Sequence, residues 1–206
     1  MNARTKRIAL TFDDGPHADT TPRLLDILRV YDAKATFFLL GNALEAHPDI
    51  AARALREGHC LGNHSYDHDD LADLTEDEIS YQLSRTNGAF ADKLSFRPTA
   101  FRPPYGNCSG HVQDAAAALG MGIVFWTASC NDWCDRDAAN IAAQVINSAR
   151  EDGIALLHDW NPATVDAVET ILATLTAAGY TFVTAEEICG GFTPGTVYGN
   201  RKEGVL

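Results

Sequence analysis

A chain of 206 residues suits one domain with a full-sized core. Sixteen basic against 28 acidic residues leave a formal charge of −12, which argues against a nucleic-acid partner and against an anionic membrane surface. No apolar stretch approaches the roughly 18 residues of a membrane span.

Met1 to Lys6 contains no apolar h-region. A cytoplasmic protein is therefore expected, or a secreted one whose export segment has been removed. The first apolar run, Ile8–Phe12, ends in Asp13-Asp14-Gly15-Pro16. Neighbouring side chains of a regular strand point to opposite faces, so two adjacent acids do not easily serve one site. Thr21-Pro22 reads as an N-cap with proline at the first helical position, and Leu24, Leu25 and Leu28 mark one face of that helix. A second apolar run, Thr36–Leu40, follows. "GHCLGNHSYDH" then delivers His64 and His68 after a short run. Thr75 with Glu78 predicts a capping box, and Ile79 and Leu83 share a stripe beyond it. "AFRPPYG" places Arg102 and Tyr105 after Phe101, and Ile123–Trp126 leads through "TASCN" to Asp132-Trp133. Ile154–Leu157 ends in His158-Asp159-Trp160. Asn161-Pro162 opens a helix with Val165, Val168, Leu172 and Leu175 at helical spacing and Gly179 just beyond. The last run is Tyr180–Val183.

None of these runs alternates strictly, as expected for strands buried on both faces. Strand and helix alternate along the chain, which predicts an α/β protein with parallel strands. A closed or nearly closed barrel and an open doubly wound sheet both fit. No Gly-x-Gly-x-x-Gly follows the first strand, which weakens a dinucleotide-binding reading.

The polar clusters follow apolar runs, and parallel strands present their C-terminal ends on one face, so the clusters should converge there. His64 and His68 stand at i, i+4, which on a helical turn puts both imidazoles on one face. Two histidines and a carboxylate leave open positions on a zinc-type ion. His158, with Asp132 as an orienting carboxylate, suits general acid–base work. Arg102, stiffened by "RPP", would keep Asp13 ionised and positioned. Trp133 and Trp160 are expected to wall a groove. His17, His47, His59 and His111 read as structural or solvated. The five cysteines are odd in number and not densely spaced, which favours single thiols.

"TFDDGP", "HSYDH", "RPPYG", "DW" and "LLH", in this order, resemble the five signature motifs of the polysaccharide deacetylases of carbohydrate esterase family 4, the NodB-homology domain. The resemblance runs over about residues 7–188, and the whole chain reads as one such domain. Acetylxylan esterases and chitin-oligosaccharide deacetylases look most similar. The resemblance implies a distorted (β/α) barrel of about seven parallel strands with the site at their C-terminal ends. It implies Asp13 as general base and Asp14, His64 and His68 as ligands of a divalent metal, usually zinc, with cobalt or another ion as alternatives. It pairs Arg102 with Asp13, gives the Tyr105 backbone N–H to the oxyanion, and makes His158 the general acid tuned by Asp132. Trp133 and Leu156 would form an apolar slot for the acetyl methyl, with Tyr105 and Trp160 also facing substrate. Ser129 and Thr127 stand where the family often carries acids. In such a barrel the loops of Cys108, Cys130 and Cys134 share a rim, so a disulfide from Cys108 to Cys130 or Cys134 is the alternative to single thiols.

The expected function is metal-dependent removal of acetyl groups from carbohydrate: N-acetyl of chitin-type oligosaccharides, O-acetyl of xylan, or both. The expected partner is an acetylated oligo- or polysaccharide, met by a monomer. A carbohydrate-binding pseudoenzyme and an amidohydrolase acting on a non-sugar amide are the competing readings.

Overall fold

The computed structural model describes residues 6–199. Strands and helices follow in the order β1 (Lys6–Asp13), α1 (Thr21–Val30), β2 (Ala35–Leu39), α2 (Gly41–Ala46), α3 (Pro48–Arg56), β3 (Cys60–Asn63), α4 (Glu76–Leu94), β4 (Ala100–Phe101), α5 (Gly110–Ala118), β5 (Gly122–Val124), β6 (Ala128–Ser129), α6 (Ala138–Ser148), β7 (Gly153–His158), α7 (Pro162–Ala177), β8 (Tyr180–Phe182), α8 (Ala185–Cys189) and β9 (Val197–Tyr198). Every strand pairing is parallel. The order across the sheet is β6-β7-β1-β2-β3-β4-β5-β9, with β8 beside the start of β1. The path ends at β6 and β9, so the sheet curls into a half-barrel. This is the distorted barrel expected, with nine strands among the described residues in place of about seven. The additional strands β6 and β9 are two residues long, too short to leave an apolar run.

β1 shows why alternation is absent from the sequence. Residues Ile8 to Asp13 are all buried, yet the two faces differ. Ile8, Leu10 and Phe12 join a cluster with Leu24, Leu25 and Leu28 of α1 and Val165, Val168 and Leu172 of α7. Ala9 joins Phe38, Ala100, Val124 and Ile154 in the barrel interior. Thr11 and Asp13, at i+2 and i+4 from Ala9, share that inward face. Register carries the chemistry to one end: Asp13 pairs with His158 of β7 and Phe38 of β2, and Asn63 of β3 pairs with Phe101 of β4.

Two helix starts form as expected. Thr75 accepts from the Glu78 N–H in a complete capping box, and the Asn161 side chain caps α7 at Ala163. Thr21 does not cap α1: the N-cap is Thr20, whose side chain makes no capping bond. The Thr21 hydroxyl serves the site instead, accepting from the His17 N–H at 2.7 Å and donating to Asp159 at 2.6 Å.

No disulfide joins the five cysteines. Cys130 is buried with its thiol toward the Leu156 carbonyl, and Cys134 is exposed and donates to the Asn131 carbonyl. Cys108 packs against the cluster around Phe101 and Val112. The three side chains are committed to different surroundings, and the disulfide alternative is set aside. Among the described residues no helix is long and apolar enough to cross a membrane.

Gly62 of β3 ties packing to the site. A Cβ there would lie 2.6 Å from the Phe38 ring and 3.2 Å from the Ala100 carbonyl. The Phe38 ring also carries the Arg102 guanidinium, 4.1 Å from its centroid. Gly62→Ala is expected to destabilise the protein by about 1–3 kcal/mol through overpacking and to lower activity by displacing Arg102. Urea unfolding and turnover of the still-folded variant check both; an unchanged midpoint would refute the packing account.

Candidate active site

The adjacent acids reach one centre because the strand ends between them. Asp13 is the last residue of β1 and points inward by strand periodicity. Asp14 takes φ 74, the left-handed region, which turns its side chain back toward the same cavity. Gly15 is required next: a Cβ there would meet the Asp159 carboxylate at 2.3 Å.

Arg102, fully buried, organises the inner half of the site. Its Nη1 donates to Asp13 Oδ1 and Thr11 Oγ1, each at 2.7 Å. Its Nε and Nη2 donate to the Val124 and Phe125 carbonyls at 2.9 and 3.2 Å. Burial pulls the guanidinium below its ordinary range, and Asp13 opposes that pull. Such a pair is stable inside a barrel because the charge is paired and every guanidinium nitrogen donates to an acceptor.

His64 and His68 do not lie on a helical turn. β3 ends at Asn63, and the following loop has left-handed residues at Ser65 and His68. The imidazoles still converge, with ring centroids 5.2 Å apart. Both Nε2 atoms lie 3.3 Å from Asp14 Oδ1, and His64 Nε2 is 3.7 Å from Asp13 Oδ2. The Asn63 side chain shapes the loop by accepting from the Ser65 N–H at 2.8 Å.

This donor set fits a divalent ion. The His64 Nδ1 faces the Arg102 carbonyl at 2.7 Å, where it donates, leaving an Nε2 lone pair toward Asp14. Asp14 Oδ1 is buried without a hydrogen-bond partner, while Oδ2 accepts from the Trp160 indole N–H at 2.9 Å. Asp14, His64 and His68 thus aim one ligand atom each at a common point, all within 4.8 Å of one another. Burial alone would raise the Asp14 carboxyl, but contact with His64 and the charges of His64, His158 and His68 hold it well below the usual range. Burial lowers His64, and Asp13 and Asp14 more than reverse it, raising the imidazole. The pocket attracts positive charge, a proton or a metal ion alike.

His158 ends β7 opposite Asp13. Its Nδ1 meets Asp132 Oδ1 at 2.8 Å, and its backbone N–H donates to Asp132 Oδ2 at 2.7 Å. Thr164 also donates to Oδ2 at 2.7 Å, so Asp132 is fixed on both oxygens. Asn161 donates to the Asp132 and Asp135 carbonyls, which joins this loop to the start of α7. Burial would lower His158, but the hydrogen bond and charge of Asp132, with Asp13 and Asp14, push it up to about 9.

A cavity of about 500 Å³ joins these groups. Its walls include Tyr105, Trp133, Leu156 and Trp160, and also Trp126, Ser129 and Asn131. Tyr105 takes φ 57 and sets its ring edge-on to His68, 4.7 Å between centroids. Leu156 is nearly buried, whereas Trp133 is 57% exposed at the rim. Thr127 is occupied by the Ile154 N–H and carbonyl. Sequence reasoning missed Thr11, Trp126 and Asp159. Thr11 was legible as the inward residue two before Asp13, and Asp159 stood beside His158 in "LLHDW".

The family profile described as "Polysaccharide deacetylase" matches residues 1–124. The peptidoglycan-N-acetylglucosamine deacetylase PgdA of Listeria monocytogenes is 40% identical over 185 residues, covering 90% of this chain and 39% of that protein. The chain thus spans about two-fifths of that relative's length. The chitooligosaccharide deacetylase of Azorhizobium caulinodans is 35% identical over 157 residues, covering 75% of this chain and 74% of the relative. A family 4 acetyl xylan esterase from Clostridium thermocellum, solved with a cobalt ion, superposes with a TM-score of 0.87 at 34% identity, covering 95% of this chain and 98% of that one. Profile, relatives and fold agree, and this chain belongs to the polysaccharide deacetylase family.

Proposed function

We propose that this chain is a metal-dependent deacetylase of carbohydrate, hydrolysing N-acetyl groups of N-acetylglucosamine-containing polymers. The observation that carries the reading is the division of the site into three parts around one cavity. Asp13 is held by Arg102, Asp14 faces His64 and His68, and His158 is held by Asp132. A pseudoenzyme has no use for all three.

Asp14, His64 and His68 would hold the ion, which when bound supplies Lewis-acid activation of water and of the acetyl carbonyl. Asp13 accepts the proton of the attacking water, and the Arg102 guanidinium keeps its carboxylate oriented. The Tyr105 backbone N–H, placed by the left-handed turn, donates to the oxygen that gains charge. His158 carries a proton at neutral pH and delivers it to the departing nitrogen, and Asp132 stabilises the imidazolium until it does. Leu156, Trp126 and Trp133 offer the apolar surface that an acetyl methyl needs, and the exposed Trp133 offers a ring face to a sugar.

The named activities of the relatives support the acetylated-glycan class: two act on N-acetylated glycans and one on acetylated xylan. The raised His158 favours amides, whose nitrogen must be protonated to leave. Acetate release from chito-oligosaccharide, peptidoglycan and acetylated xylan tests the proposal, using metal-depleted protein with zinc or cobalt restored. Acetate is expected from the N-acetylated substrates only after restoration. Silence on all three with the ion bound would overturn it in favour of a non-sugar amide.

A further inference from the structure

Among the described residues, Asp159 is the one fully buried carboxyl beside the cavity without a part in the mechanism above. Its surroundings are specific. Oδ2 accepts from the Thr21 hydroxyl at 2.6 Å, and the same hydroxyl accepts from the His17 N–H at 2.7 Å. Oδ1 lies 3.9 Å from His17 Nε2, and both atoms are buried without a hydrogen-bond partner. The carboxylate also fills the space where a Gly15 side chain would start, with Oδ2 at 2.3 Å and Oδ1 at 2.8 Å from an ideal Cβ. The His17 ring in turn lies against the Asp14 backbone.

These contacts connect two loops of different duty. Gly15 and His17 belong to the turn that aims Asp14 into the metal pocket. Asp159 stands between His158 and Trp160 at the end of β7, and Trp160 donates to Asp14 Oδ2 at 2.9 Å. The turn after β1 is thus gripped twice by the turn after β7: at the Asp14 carboxylate by Trp160, and at the backbone behind it by Asp159. Left-handed Asp14 needs such support, because a non-glycine residue at φ 74 persists only where its surroundings over-determine it.

We propose that Asp159 is a positioning residue, whose carboxyl braces the Gly15–His17 turn from behind and thereby holds Asp14 in the geometry that binds the metal ion. The brace works through hydrogen bonds and shape, which an amide of the same size can also supply. A second anion behind Asp14 would repel it, and burial pushes the Asp159 carboxyl up to about 7. An amide keeps the shape: its oxygen accepts from Thr21 and its NH₂ faces His17 Nε2.

The inference rests on reading Asp14 as a metal ligand, so the test carries that control. Apo protein is titrated with zinc against a chromophoric chelator, and folding of each variant is followed by circular dichroism. Asp159→Ala is expected to weaken zinc affinity by about 10–100-fold, the range for losing a residue that orients a ligand. Asp159→Asn is expected to restore affinity to within about threefold of the parent, a small part of that range. Thr21→Val, which removes one strand of the brace without opening a cavity, should fall between them and keeps the test decisive if the alanine variant does not fold. A folded Asp159→Ala protein with parental affinity overturns the brace, as does an Asp159→Asn protein that loses as much as the alanine variant. Asp14→Ala must lose the ion. If it does while Asp159→Ala keeps it, the brace alone fails; if Asp14→Ala binds zinc like the parent, the ligand assignment fails and the brace with it.

Discussion

Asp13→Asn should lower turnover by about 10²–10⁴-fold, the usual value of a positioned base, and leave metal affinity nearly unchanged. Asp14→Ala should lose the ion and the activity together. The contrast follows from where the oxygens are. Asp13 gives Oδ1 to Arg102 at 2.7 Å, while its Oδ2 stands 3.7 Å from His64 Nε2 and faces the cavity. Asp14 gives Oδ2 to Trp160 and keeps the unpartnered Oδ1 for the point shared with both imidazoles. Asparagine is the right replacement at Asp13, because it keeps an oxygen for the guanidinium but cannot take a proton. Either replacement leaves the Arg102 charge without its anion, but alanine also removes the hydrogen-bond acceptor and opens a cavity, costing about 3–5 kcal/mol and confusing folding with chemistry. Cobalt titration of the apo variants and acetate release from N-acetylated oligosaccharide separate the two roles. Loss of the ion in Asp13→Asn, or its retention in Asp14→Ala, would reverse the assignment.

The same pair of residues marks how far the sequence could be read. Buried runs ending in polar clusters gave the parallel architecture and the face that holds the site, because strand direction alone decides which ends meet. That Asp13 points inward also followed from period 2, once Ala9 and Thr11 were on the inner face. Spacing could not supply backbone conformation at single residues. Left-handed φ at Asp14 and His68 makes the carboxylate and imidazole converge, and no periodicity encodes it. The i, i+4 spacing of His64 and His68 therefore pointed to the right partners through the wrong local structure. Thr21 shows a different gap. Its place before Pro22 suited a cap, but Thr20 takes that position and the hydroxyl is drawn to Asp159, more than 130 residues away in sequence and adjacent only in the folded chain. The nine-stranded count was hidden for the opposite reason: two-residue strands pair through backbone groups and leave no side-chain pattern.

His158→Ala should separate amide from ester substrates. A departing amine nitrogen must be protonated as the C–N bond breaks, whereas an alkoxide is the better leaving group and depends less on an acid. Loss of about 10²–10⁴-fold is expected on N-acetyl substrates and much less on O-acetylated xylan. The pH dependence fixes the sign. His158 is raised to about 9 because the attraction of Asp132, Asp13 and Asp14 outweighs burial. An acid acts only while protonated, so amide turnover should persist through neutral pH and fall as pH rises through the His158 value. A cation bound beside Asp14 screens part of that attraction, so the fall in the loaded enzyme should come somewhat below 9. Asp132→Asn removes the largest raising influence and should move the alkaline limb toward the ordinary imidazole range near 6.5. It also sets an amide NH₂ against the donors of Thr164 or His158, so some loss of stability accompanies the shift. Profiles of kcat against pH for the parent and Asp132→Asn, on an N-acetyl and an O-acetyl substrate, read both effects. An alkaline limb that stays in place in Asp132→Asn would mean that another group donates the proton. A limb that moves on the amide but not on the ester would tie it to the leaving nitrogen, since both reactions share the base and the metal ion and differ in the demand on His158.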